Sequence, residues 1–303
     1  LGKYITKRVF LAIMTMFIVC AITFFSMNAI PGGPFDGEKA ISPEVRRVLE
    51  QRFNLDKSVP EQFVIYLNNL LHGDFGVSTK TGRDIKTTIF SSFAVSAKLG
   101  TMAVILAVIC GVILGSIAAL NRNGIADRLI IFLSTLFTSL PSFVFGTLLL
   151  LIFSTRLNLI QAWSADSTNY VLPVIALSAS PMAYITRLTK TSMLDALGQD
   201  YVRTARAKGV AQWKVIFKHT LRNAMIPVIT YVGPLTASIL TGSLVIESIF
   251  SIGGLGAKFV DGITNRDYPM IMGTTIFLAV LMITVNLITD IIYKIVDPRI
   301  KLD

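Results

Sequence analysis

The sequence predicts an all-α, polytopic membrane protein with six transmembrane helices and a small helical domain inserted between the first two. Three observations carry this. Of 303 residues, 53% are hydrophobic and 15% charged, against about 25% charged in a soluble domain. The apolar residues are gathered into six stretches, 9–30, 99–120, 129–155, 171–186, 223–246 and 268–289, that contain no Asp, Glu, Lys or Arg. The cations between those stretches collect on alternate connections. Crossing a hydrocarbon core takes about 20 residues, and one ionised side chain at a helix centre costs about 2.5–3.5 kcal/mol.

The first stretch follows Lys3, Lys7 and Arg8. It is too long for a signal peptide's apolar region of about 7–15 residues, so it reads as a retained helix closing a first segment, 1–30. The chain begins at Leu1, and an initiator Met is expected to precede it. Residues 31–98 read as a folded extracytoplasmic insertion. Ser42-Pro43-Glu44 is an N-cap with proline at the first helical position, opening a helix to about Arg52. A second helix runs from near Pro60 to Gly73 as C′ residue. Phe63, Tyr66, Leu67, Leu70 and Leu71 form its apolar face, which either packs on the membrane helices or seats an external partner.

Residues 99–303 form the core. The stretch 171–186 is short and holds Pro173 and Pro181. It needs Arg187 to snorkel or a helix that continues beyond the bilayer. The connection 193–227 is rich in helix formers and reads as two short helices broken once, at Gly209, in a left-handed conformation. In the second, Val210, Trp213, Phe217 and Leu221 make an apolar stripe that must be covered. Lys214, Lys218 and Arg222 make a basic stripe suited to lipid headgroups or solvent. In the fifth stretch Gly233, Ala237 and Thr241 have the small-residue spacing of close helix packing. Thr230, Ser238 and Ser243 either line a polar pathway or bond their own backbone. Glu247 and Asp290 stand at stretch ends, so the apolar stretches lack the ionisable groups of an ion-coupled carrier.

Orientation follows from charge. With an inside N-terminus, segments 1–8, 121–128, 187–222 and 290–303 hold sixteen Lys and Arg, whereas the two short outer loops hold only Arg156, Lys258 and Arg266. The other nine lie in the long insertion beside eight acidic residues, beyond the length over which such charges count. Both termini are expected to be cytoplasmic, and the net charge of +10 to reflect this asymmetry rather than nucleic-acid binding. Cys20 and Cys110 lie in apolar stretches and read as small hydrophobes. His72 and His219 are far apart, so neither a disulfide framework nor a metal site is expected.

The run Asp200-Tyr201-Val202-Arg203-Thr204-Ala205-Arg206-Ala207-Lys208-Gly209, followed by His219, Leu221, Arg222, Asn223 and Pro227, resembles the signature loop of binding-protein-dependent ABC importer permeases, in particular the peptide branch. Where the general signature begins Glu-Ala-Ala, this chain reads Arg203-Thr204-Ala205, so no carboxylate contact carries over. Pro31-Gly32-Gly33-Pro34, Leu55-Asp56, Gln62, Tyr66-Leu67 and the run from Gly73 to Ser78 are similar to the family's outer pattern. Glu247-Ser248-Ile249-Phe250, the glycines 253, 254 and 256, Arg266-Asp267-Tyr268-Pro269, Asn286-Leu287, Asp290, Tyr293 and Asp297-Pro298-Arg299 resemble its C-terminal half. The long insertion resembles that of the B-type subunit of oligopeptide or dipeptide importers.

The resemblance implies a type I importer permease in a bacterial or archaeal cytoplasmic membrane. It implies a homologous second permease, two ATPase subunits that bind ATP and Mg, an extracytoplasmic binding protein and a peptide substrate. Asp200, Tyr201, Arg203, Thr204, Ala205, Arg206, Lys208, Gly209, Trp213 and His219 would then form the ATPase-coupling loop. Thr230, Gly233, Ala237, Ser238 and Thr241 would serve the pathway or helix packing. The chain has no G-x-x-x-x-G-K-[ST] phosphate loop, so no cofactor and no catalytic site of its own is expected. Related importers of nickel chelates, glutathione or oligosaccharides have similar permeases and are the alternative. A stand-alone channel or carrier and a membrane enzyme are the other classes; the loop and the lack of a catalytic constellation argue against them.

Overall fold

The computed structural model describes residues 2–35, 42–164, 167–241 and 243–296. They form α1 (Gly2–Ala29), α2 (Pro43–Arg52), α3 (Val59–Leu71), α4 (Ile85–Leu120), α5 (Ile125–Ser139), α6 (Ser142–Leu149), α7 (Val171–Leu197), α8 (Asp200–Ala207), α9 (Gln212–Lys214), α10 (Arg222–Leu240), α11 (Leu244–Ile249), α12 (Leu255–Asn265) and α13 (Tyr268–Val296), with no strand among the described residues. α6 runs into a π-helical turn, Leu150–Arg156, and α9 into another, Val215–Leu221. Among the described residues five helices are long and apolar enough to cross a membrane, and α5 with the α6 segment makes a sixth crossing when taken as one broken span. Asp297-Pro298-Arg299 lies outside the described residues.

Two compact units divide the chain, Leu1–Val95 with Gly253–Ile283, and Ser96–Ile252 with Thr284–Leu302. In the first, Ser42 caps α2 by accepting from the Val45 N–H at 3.3 Å. Glu61 bonds the backbone N–H and the hydroxyl of Ser58 at the start of α3. Gly73 follows α3 at φ 75°. The apolar face of α3 meets membrane helices: Phe63 lies among Cys20, Phe24 and Met27 of α1 and Ile271, Met272 and Ile276 of α13. Tyr66, Leu67 and Leu70 pack there too, but Leu71 is 85% exposed. It stands at the last helical position, beyond the reach of that cluster. On α13, a Cβ at Gly273 would come within 2.6 Å of Ile85 and 3.1 Å of Ile89.

In the second unit α7 packs on α5, α6 and α10. α4 approaches α7 through Gly111 and Gly115, a small-residue pair absent from the sequence-based expectations. A Cβ at Gly111 would stand 2.7 Å from Ile185 Cγ2, and one at Gly115 2.5 Å from the Thr186 carbonyl. Absent side chains let the backbones meet.

Two expectations about helix continuity are corrected and a third question is decided. The stretch 129–155 is not one helix, because α5 and the α6 segment meet at 103°. Pro141 excludes helical geometry at Leu140, which sits at φ −81°, ψ 124°. The stretch 223–246 is interrupted, since α10 ends at Leu240 and Ser243 caps α11 by accepting from the Ile246 N–H. The stretch 171–186 continues as α7 to Leu197, which resolves its shortness in favour of a helix that runs on past its apolar part.

Candidate functional site

The connection after α7 breaks twice rather than once. α7 stops at Gly198, and Gln199 takes extended angles (φ −77°, ψ 151°) before α8. α8 buries Val202 and Ala205 and exposes Asp200, Tyr201, Arg203, Thr204, Arg206 and Lys208. Its two buried residues are three apart and share a face. Asp200 in the first turn complements the helix dipole and pairs with exposed Arg203 at 3.6 Å. Thr204 Oγ1 donates to the Asp200 carbonyl.

Gly209 ends α8 in the left-handed region at φ 72°. Its N–H donates to Arg206 O at 3.0 Å, and Val210 N–H donates to Ala205 O at 3.2 Å. These are the two bonds of a Schellman motif, and the apolar contact that accompanies such a motif is present, because Val210 packs with Val202, Ala205 and Val215. Nothing lies within 4 Å of where a Gly209 Cβ would stand. The glycine is therefore required by its φ, not by crowding.

The apolar stripe does not hold as one face. Residues 215–221 are π-helical, so one turn takes more residues than in an α-helix and buried positions recur at i, i+5. Val215 and Thr220 are both fully buried, and Thr220 Oγ1 donates to Val215 O at 3.0 Å. Val210 and Leu221 face inward, the latter beside Met193, Ala196, Ala119 and Ala224. Trp213 and Phe217 are 61% and 63% exposed. Lys214 Nζ stands 5.4 Å from the Trp213 ring centroid, while Lys218 and Arg222 are exposed and His219 is half-buried. The structure thus places an exposed aromatic pair, with Tyr201 at 39%, among cations on a hairpin whose inner face is closed.

The second set of residues separates. Ala237 is 1% exposed, and a Cβ on Gly233 would collide with the Thr289 side chain, so these two are packing residues. Thr230 and Ser238 are exposed on α10, with Asn223 and Pro227 on the same side. Thr230 Oγ1 donates to Ile226 O, and Thr241 Oγ1 to Ser238 O.

Two polar pairs are not legible in the sequence. Lys190 Nζ of α7 stands 2.6 Å from Asp127 Oδ1 of α5, and the same carboxylate accepts from the Asn123 N–H at 3.0 Å. Glu247, expected only to mark a stretch end, is fully buried and accepts from Ser96 Oγ at 2.7 Å. Only the packing of α5 on α7, and of α11 against its neighbours, which spacing does not encode, brings the two pairs together. Among the described residues no cluster of His, Cys, Asp and Glu could hold a metal.

The chain matches two family models end to end. Residues 111–302 match the binding-protein-dependent transport system inner membrane component, and residues 1–102 match the N-terminal part of such components. It is 45% identical to the dipeptide transport system permease protein DppB of Bacillus subtilis (strain 168), covering 100% of this chain and 99% of that one. It is 44% identical to DppB of Lactococcus lactis subsp. cremoris, covering 99% of each. Identity to the oligopeptide transport system permease protein OppB of Haemophilus influenzae is 42%, again over 99% of each. An amino acid ABC transporter structure overlays with a TM-score of 0.55 at 16% identity, covering 69% of this chain and 94% of that one. The MetNI methionine ABC transporter gives 0.54 at 13%, covering 70% and 97%. These two establish the fold.

Proposed function

This chain belongs to the family of binding-protein-dependent transport system inner membrane components, and on that premise we propose that it is the peptide-conducting permease of an ATP-driven importer. The observation that carries the cargo is identity of 41–45% to dipeptide and oligopeptide permeases over essentially the full length. The protein is a multi-pass component of the inner membrane. A homologous second permease completes the pathway, a binding protein delivers peptide from outside, and two ATPase subunits hold ATP and Mg. Both termini face the cytoplasm, as the cation asymmetry favours.

The hairpin of α8 and α9 is the coupling element. Tyr201, Trp213 and Phe217 present exposed aromatic surface that is costly to leave in water, and Arg203, Arg206, Lys208 and Lys214 surround it. His219 lies behind this face. ATP-driven movement of the ATPase pulls on the hairpin, and its closed inner face passes that movement to α7 and α10. Gly233 and Ala237 hold α10 against its neighbours, while Thr230, Ser238 and Thr241 belong to the side open toward the pathway.

The test is uptake by the assembled transporter. The chain, its companion permease, the ATPases and the binding protein are reconstituted in liposomes, and accumulation of labelled di- to hexapeptides is followed with and without ATP. ATP-dependent peptide accumulation supports the proposal. Accumulation of glutathione, a nickel chelate or an oligosaccharide, with no peptide, overturns the cargo and leaves the permease assignment standing. Replacing Trp213 and Phe217 together with alanine is expected to abolish co-purification of the ATPases.

A further inference from the structure

From the cleft bounded by α1, α12 and α13 we infer a phospholipid-binding site, with an acyl chain in the cleft and the headgroup phosphate on Arg266. All of its residues lie in the first compact unit. The cleft encloses about 480 Å³ and is lined by Ile22, Ser26, Ile30, Phe259, Ile263 and Ile271, with Arg266 and Tyr268 at one end. Along α1 it runs from Ile22 to Ile30, about 12 Å at 1.5 Å per residue.

Three observations fit an amphiphile with one charged end. The first is charge complementarity. The lining is almost wholly apolar, and its single cation stands where the apolar run of α1 gives way to Pro31 and that of α13 begins at Tyr268. A tyrosine and an arginine at such a boundary match the headgroup level, and a guanidinium matches phosphate geometry.

The second is backbone strain. Arg266 holds φ 55°, ψ 40° at the end of α12, where glycine or asparagine would sit at lower cost. The strained position carries a cation instead of either of those residues, which points to a use for the side chain. One of its N–H groups donates to Pro31 O at 3.1 Å, and a guanidinium has five.

The third is the rim, which is apolar, with Ile22, Ile30 and Ile263 at 62%, 58% and 51% exposed. The assignment does not depend on the cargo.

The test uses the assembled transporter in nanodiscs of phosphatidylethanolamine and phosphatidylglycerol, doped with both lipids carrying a diazirine in the acyl chain. After irradiation, adducts are located by mass spectrometry. Adducts at Ser26 and Ile263 are expected to exceed those at Phe10 and Ile13 on the open face of α1. Arg266→Asn accommodates the left-handed backbone but removes the charge. It should lower cleft adducts about tenfold, the factor of one charge-assisted hydrogen bond, and leave those at Phe10 unchanged. Arg266→Lys should retain most of them. Thr23→Phe narrows the cleft without touching the Arg266–Pro31 bond, and should lower cleft adducts even if Arg266→Asn fails to assemble. Cleft labelling no greater than at Phe10 would overturn the proposal, as would labelling indifferent to both substitutions. So would a photo-crosslinker at Ile263 that joins another protein subunit instead of lipid.

Discussion

Ser78 and Asp267 are 189 residues apart in the chain, and the serine hydroxyl donates to the aspartate Oδ2 at 2.5 Å. The Thr79 N–H and hydroxyl both donate to the other carboxylate oxygen at 3.1 Å. On either side of Asp267 the chain reaches back to the turn after α1: Arg266 donates to Pro31 O, and the Tyr268 hydroxyl to Gly32 O at 3.2 Å. Lys80 Nζ donates to Pro34 O at 2.6 Å. The consecutive residues 266–268 thus tie the Pro-Gly-Gly-Pro turn and the segment before α4 to the junction of α12 and α13.

Asp267 is 4% exposed, and its bonds are charge-assisted. Asp267→Asn replaces an acceptor that takes three donors with a group that must donate as well. A cost of about 2–3 kcal/mol is expected, read as a lower midpoint of thermal unfolding for the detergent-solubilised transporter. Faster proteolysis between residues 31 and 84 should accompany it. Ser78→Ala is expected to cost less, because Thr79 still holds the carboxylate.

Gly209 tests whether conformation or space matters in the hairpin. Its φ is 72°, and no atom lies within 4 Å of where its Cβ would stand. Gly209→Val should cost about 1–2 kcal/mol, and misalign Trp213 and Phe217. Uptake per assembled complex is expected to fall severely while membrane insertion and substrate capture by the binding protein persist. Gly209→Asn, which tolerates the left-handed region, should retain most uptake. Equal uptake by the valine variant would show that the hairpin does not couple.

Gly111 and Gly115 fail for the opposite reason. Their backbones are ordinary helix, but a Cβ would overlap Ile185 and the Thr186 carbonyl. Gly115→Leu is expected to cost about 3 kcal/mol or more, as overpacking does at its upper end, and to reduce the amount of folded protein in the membrane. Gly198→Ala, whose nearest neighbour is 3.5 Å away, should be nearly neutral in the same assay.

The caps of the insertion carry a pH dependence. Bonds from Ser58 hold the Glu61 carboxyl below its ordinary value, and bonds from Thr87 do the same for Asp84. Because the folded values are depressed, their contribution is complete above the ordinary carboxylate range and is lost as pH falls through the lowered values. Protection factors at residues 59–63 and 85–88, taken relative to the intrinsic exchange rate at each pH, should therefore be unchanged from neutral pH down to about 5. They should fall below about 4. Glu61→Gln should remove this fall at 59–63 only.

Orientation is open to direct measurement. A reporter fused after Asp303 is expected to be cytoplasmic, and one inserted near Lys80 external. A cytoplasmic signal at Lys80 would overturn the six-crossing topology.

What the sequence determined by itself was local. Absence of charge marked the six apolar stretches, because a bilayer penalises each charge separately. Ser42-Pro43 and Gly73 marked the outer helix ends, and Gly209 its left-handed turn, because capping and φ depend on a few neighbouring residues. Tertiary structure decided what depends on partners distant in the chain. Spacing at i, i+4 placed Trp213 and Phe217 in one stripe with Val210 and Leu221, but the π-helical turn at 215–221 leaves both aromatics exposed. Nothing near Glu247 announces Ser96, nor does anything near Asp127 announce Lys190; each pair exists because packed helices bring the groups within hydrogen-bonding distance. The same holds for Asp267. Its neighbours name a motif, but only folding delivers Ser78 and Thr79 to a buried carboxylate that would be costly without them.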